Sequence, residues 1–141
     1  IHKVDSITAR NILRQYGLNN ESLDSLGYGQ FSEWLNKQTK DRKQRIDKDG
    51  IRFADKNYLF NQLEFNNNND LSVQASEFHY CEPKKFCETG SDYECVEVFG
   101  SKNVSGLECV YCHDDECTHP YVDIETMEVI CILNGGIKNA V

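Results

Sequence analysis

What the chain lacks narrows it first. No apolar run approaches the eighteen or so residues that a membrane-spanning helix needs, so no stretch of it is expected to insert into a membrane. Basic side chains are in the minority. Fifteen Lys and Arg face 23 Asp and Glu, giving a formal net charge of −8 and a pI near 4.9. That balance argues against nucleic acid or anionic lipid as a partner, because both require a positive counter-surface. G-x-S-x-G, H-E-x-x-H and P-loop patterns are absent, and Gly27-Tyr28-Gly29 is too short to cradle a phosphate. The expectation is a non-enzymatic protein that needs no cofactor and no metal. Cysteine is missing from the first eighty residues, yet six of the seven cysteines fall within residues 81–117.

The cysteine-free part, residues 1–65, has helical periodicity. Ala9, Ile12, Leu13 and Tyr16 fall on one face of a first helix that Gly17 would end. Phe31, Trp34, Leu35 and Gln38 mark a second helix, reaching about Arg45. Asp55 is placed to cap a third, carrying Tyr58, Leu59 and Leu63. Residues 37–52 concentrate seven of the fifteen basic residues against three acids, which leaves about −12 on the rest of the chain. Two readings stand for that run. It is the solvated side of a helix, or Lys37, Lys40, Arg42, Lys43 and Arg45 form a docking face for an acidic partner.

Residues 66–141 behave differently. Asn66 to Asn69 form an asparagine tract that suits a turn or linker, and Asp70 is placed to cap a helix carrying Leu71, Ala75 and Phe78. Alternation at Glu94–Phe99, and the apolar content of Tyr121–Ile124 and Glu128–Leu133, predict short strands. The fold class expected is α+β, with N-terminal helices packed on a small, disulfide-stapled lobe of short antiparallel strands.

Within that lobe one unit is written twice. Glu77-x-x-Tyr80-Cys81, Cys87 and Cys95 are matched by Glu108-x-x-Tyr111-Cys112, Cys117 and Cys131. Cys109 has no counterpart, since Phe78 occupies its place. The spacing suggests an internal duplication. Three cysteines cannot all pair within one unit. Full oxidation of Cys81, Cys87, Cys95, Cys112, Cys117 and Cys131 therefore demands at least one bridge between units, worth about 2–4 kcal/mol. Cys109 is then a free thiol or the handle of a disulfide-linked homodimer. Two rival chemistries attach to the same residues. Cys109-x-x-Cys112-His113 fits a haem-attachment pattern, and Cys109, Cys112, Cys117 and His119 have the donor types of a zinc adaptor. Structural disulfides are preferred, because the histidines do not follow the repeat and a duplicated metal site should duplicate its ligands.

Clustered cysteines and the sequons at Asn20 and Asn103 point to secretion, with both asparagines as candidate glycosylation sites. Over residues 77–135 the paired Tyr-Cys units resemble the bicycle proteins of aphids, small secreted proteins carrying two Cys-x-x-Tyr-Cys or Cys-Tyr-Cys motifs. Cys109-Val110-Tyr111-Cys112 fits that motif, whereas Phe78-His79-Tyr80-Cys81 lacks its leading cysteine. The resemblance implies an insect salivary effector that acts in plant tissue by binding a host protein. It carries over no functional residues.

Overall fold

The computed structural model describes residues 11, 14, 15, 17, 25–101, 103–107 and 114–138. Among them are two helices, α1 (Gln30–Asp49) and α2 (Ile124–Leu133), and four strands, β1 (Leu63–Glu64), β2 (Asp70–Gln74), β3 (Cys95–Ser101) and β4 (Glu116–Asp123). The strands form one antiparallel sheet in the order β1-β2-β3-β4, and the class is α+β as expected. The sequence divides into a helical part, residues 1–65, and a cysteine-rich part, residues 66–141, that together can form one compact domain, and side chains from both parts share one core. Phe31, Leu35, Leu63 and Phe65 pack in the same cluster as Leu71, Val73, Val96, Val98, Val122 and Ile130.

Helix α1 forms where the sequence predicts it. Phe31, Leu35, Gln38, Thr39 and Arg42 recur at helical spacing and make its buried face. Against that face lies the short 3-10 turn Gly90–Asp92. A β-carbon on Gly90 would come within 2.7 Å of the Asn36 nitrogen and the Leu35 carbonyl carbon, so only glycine permits this backbone-to-backbone contact. The first α1 turn has no side-chain cap of its own. Its donors are met from 97 residues away, where the Glu128 carboxylate accepts from the Phe31 N–H at 2.7 Å, the Ser32 N–H at 3.4 Å and the Ser32 hydroxyl at 3.0 Å. Burial raises the Glu128 pKa, only partly offset by those hydrogen bonds.

Three segments differ from the sequence reading. The helix expected from Asp55 is a turn at 53–58 followed by β1, with Leu63 and Phe65 buried in strand alternation. The helix expected from Asp70 is strand β2, where Leu71 and Val73 face the core. The strand expected at Glu128–Leu133 is the body of α2. That helix is buried almost all round, so no polar stripe reveals a 3.6-residue period, and β-branched residues in an apolar run resemble a strand. The first predicted helix lies mostly outside the described residues: Ala9, Ile12, Leu13 and Tyr16 are not among them.

The asparagine tract is a turn, fastened to the chain beyond α2. Backbone N–H groups of Asn66 and Asn67 donate to the carbonyls of Gly136 and Asn134, at 2.9 and 3.3 Å. The Asn66 side chain donates to the Gly135 carbonyl, and that of Asn67 to Asn134 Oδ1. Lys138 returns the contact, its N–H donating to the Glu64 carbonyl at 2.8 Å.

The stapled lobe needs correction. No disulfide joins any two of Cys81, Cys87, Cys95, Cys117 and Cys131, and Cys109 and Cys112 lie outside the described residues. The two units also diverge in structure, because Cys95 opens β3 whereas its counterpart Cys131 lies within α2. Burial pushes the thiol pKa values of Cys81, Cys87 and Cys131 up, which holds them protonated and poorly nucleophilic. With reductant present, iodoacetamide is expected to leave these three unmodified in the native protein and to label them once denaturant is added. Peptide mass mapping checks this, and rapid native labelling of Cys131 would contradict its complete burial.

Candidate interaction surface

Two loops, each overlapping a helix expected from sequence, meet beside the C-terminal part of α1. The first, residues 50–60, is shaped by polar contacts. Asn57 accepts from the Arg52 N–H at 2.9 Å and donates to the Gly50 carbonyl at 2.8 Å, and Arg52 pairs with Asp55 at 2.6 Å. Arg45 holds this loop to α1, donating to the carbonyls of Asn57 and Leu59 at 3.0 and 2.9 Å. The second loop, residues 75–87, turns on Ser76, whose hydroxyl accepts from the Phe78 N–H and lies 2.6 Å from His79 Nδ1. Burial lowers the His79 pKa, so its ring is neutral at pH 7. The Ser76–His79 pair has no route to a substrate, because Ser76 is fully buried.

These loops bring aromatic rings together at the surface. Phe53 and Phe78 meet edge-to-face at 5.4 Å, and Tyr58 closes a triangle with them at 5.4 and 5.7 Å. Phe86 packs on Phe78 at 5.8 Å, and the His79 ring stacks on Tyr58 at 6.4 Å. Phe53 is 60% exposed and Phe78 48%, high values for such rings. A second pair follows, Tyr80 and Tyr121 at 6.0 Å, held by the Tyr121 N–H donating to the Tyr80 carbonyl. The Lys84 ammonium lies 5.1 Å above the Tyr80 ring.

Beneath the first cluster sits Arg42, 1% exposed. Its guanidinium lies 4.4 Å from the centroid of Phe60 and 4.9 Å from that of Phe86. It donates to the Ala75 carbonyl and to the Tyr93 hydroxyl, the latter at 2.8 Å. The Tyr93 hydroxyl also receives the Cys87 N–H at 3.0 Å and donates to the Lys85 carbonyl at 2.6 Å. Among the described residues no carboxylate pairs with Arg42. Its charge is accommodated by two ring faces and neutral oxygens. The exposed rings are thus anchored through Phe86 to the core.

This disposes of Arg42 as part of a docking face. Of the other basic residues singled out from sequence, Arg45 is spent on the loop carbonyls, Lys43 pairs with Asp47 at 2.7 Å and lies 3.8 Å from Glu88, and Lys37 and Lys40 are exposed. Asn103 is exposed in the turn after β3, and Asn20 lies outside the described residues. Cys117 and His119 stand two apart on β4, but Cys109 and Cys112 lie outside the described residues. Among the described residues no group of three or more metal-binding side chains forms. The aromatic surface went unread in the sequence because Tyr58 and Phe78 were assigned to helix cores. The available signal was confined to Phe53, which sits in a polar, turn-rich stretch with no large apolar residue three or four positions away.

Comparison with models of known protein families, with curated proteins and with solved structures finds no match to this chain.

Proposed function

We propose that this chain is a secreted, non-enzymatic interaction protein that binds a host or cell-surface protein through the aromatic surface of Phe53, Tyr58, Phe78 and Phe86. The observation that carries the reading is the contiguous ring cluster itself. Monomeric proteins rarely leave large apolar side chains grouped at the surface, and aromatic anchors dominate the energetics of protein interfaces. Anchoring to buried Arg42 limits the side-chain entropy lost on binding, which favours affinity. The partner surface that fits is apolar at its centre. Secretion is supported by the exposed sequon at Asn103. The resemblance to aphid bicycle proteins makes a salivary effector in plant tissue the specific form of this proposal.

The test uses a photo-crosslinking side chain at position 53 to capture extracellular and cell-surface proteins, followed by affinity measurement with the purified partner. Phe53→Ser and Phe78→Ser are each expected to weaken that affinity about 30-fold, the effect of losing an interface anchor worth ~2 kcal/mol. An affinity within twofold of the parent for the double variant would end the proposal. So would self-association in the ultracentrifuge abolished by the same substitutions, which would make the surface a homodimer contact.

A further inference from the structure

Away from those rings a cleft of about 330 Å³ opens between α1, β1 and the chain after α2. That volume is at the small end of ligand pockets, room for one or two saccharide-sized rings. Its walls are fixed by backbone contacts. The Ile137 N–H donates to Gln30 Oε1 at 3.0 Å, the Asn61 N–H donates to Gln38 Oε1 at 2.8 Å, and Phe65 and Ile137 form an antiparallel bridge. These bonds settle the amide orientations, because only the oxygen of each glutamine can accept. Each Nε2 therefore stands on the other side, and neither has a hydrogen-bond partner among the described residues.

Gln38 is the telling one. Its side chain is 5% exposed and it lines the cleft. Among the described residues no solvent-excluded side-chain nitrogen or oxygen is left without a partner, so the unpartnered Gln38 Nε2 must open onto the cleft. A nearly buried amide donor, locked by its own oxygen and aimed into a cleft, is poised for an acceptor from outside. Beside it stands Trp34, packed on Phe31 at 5.7 Å and edge-on to Phe60 at 6.1 Å, so the indole is held rigid in the wall. The charges around the mouth cancel, Glu33 and Glu64 against Lys37 and Lys138, which disfavours a ligand of strong net charge. Gln62 adds a further amide.

We infer that this cleft binds a neutral mono- or disaccharide, with Trp34 packing on the apolar face of a sugar ring and Gln38 donating to a ring hydroxyl. The combination selects it. A purely apolar ligand would strand the Gln38 donor, a phosphorylated one would find no net positive charge at the mouth to offset its desolvation, and a neutral polyol ring offers one C–H face and many hydroxyls that both donate and accept. Glu33, Glu64 and the amide oxygens accept from such hydroxyls, while Gln38 and the lysines donate to them.

Trp34 is the single tryptophan of the chain, so its emission reports on the site directly. Glucose, galactose, xylose, N-acetylglucosamine, sucrose and cellobiose are titrated through the millimolar range, with glucose 6-phosphate as the charged control. At least one neutral sugar is expected to change Trp34 emission saturably and to shift backbone amide resonances of residues 34, 38, 61 and 62. Gln62→Ala, an exposed position, is expected to weaken binding about tenfold with unchanged melting temperature, and Gln38→Glu, which keeps the oxygen for Asn61 but removes the donor, to weaken it about tenfold while the nearly buried carboxylate lowers the melting temperature. Three results would each overturn the inference: no saturable change with any neutral sugar, resonance shifts confined to other residues, or glucose 6-phosphate binding as tightly as glucose. Should Gln38→Glu fail to fold, Gln62→Ala together with the resonance map still decides.

Discussion

Replacing Arg42 with alanine is expected to cost about 3–5 kcal/mol, a large fraction of the stability of a domain this size. Three losses combine. The two ring faces of Phe60 and Phe86 lose their cation, the Tyr93 hydroxyl and the Ala75 carbonyl lose a charge-assisted donor, and the space once filled by a long side chain is left open. Arg42→Met separates these contributions. Methionine fills most of the volume and abolishes the buried charge, so its cost should fall to about 1–3 kcal/mol, the residue being unmet hydrogen bonding. Lysine is not a conservative choice here, because a compact ammonium can neither stack between two rings nor fork to both oxygens. Urea unfolding monitored by Trp34 emission measures all three. An alanine variant losing less than about 1 kcal/mol would mean that the guanidinium is not seated as described.

The second large effect is expected at Glu128. Alanine there strands the first-turn donors of a 20-residue helix inside the protein and should cost about 2–4 kcal/mol. Glutamine keeps an acceptor for the Phe31 N–H but turns an amide nitrogen toward the Ser32 donors, so an intermediate loss is expected. The pH dependence carries a sign. Because burial raises the folded pKa, the native state holds the Glu128 proton at pH values where the unfolded chain has released it. Native protons then exceed unfolded protons in that interval, and the stability contribution falls as pH rises from the ordinary carboxyl value of 4.5 through the folded pKa, then levels off. Glu128→Gln should remove this downward slope. Chemical denaturation midpoints of the two proteins from pH 4 to 7 provide the comparison, and identical profiles would refute the assignment.

How much of this was readable in advance depends on where the determining contacts lie. Helix α1 and strand β3 follow patterns carried within their own residues, and both emerge where expected. Strands β1 and β2 do not, since Leu63 and Leu71 are committed by pairing with each other across the asparagine turn. Helix α2 was misassigned because complete burial erases the polar stripe that distinguishes a helix. The basic run at 37–52 misled for a related reason. Nothing local distinguishes Arg42 from Lys43, but Tyr93, 51 residues on, and Phe60 supply an environment that only a guanidinium fits. The aromatic rings carry no local signature either. Their proximity depends on loops shaped by Asn57 and Ser76, polar residues with no distinctive spacing.

The clasp between the asparagine turn and residues 134–138 bears on how the molecule is made. Strand β1 docks on a segment some seventy positions downstream, and α1 waits almost a hundred residues for Glu128. A ribosome that has delivered the whole sheet still holds a chain whose helix α1 has no lid on its amino end. Closure by such distant pairings is slow, because the entropy of the large loops is lost before the contacts that offset it can form. The nascent polypeptide is thus expected to close up only once residues 128–138 are free to pair with α1 and the asparagine turn.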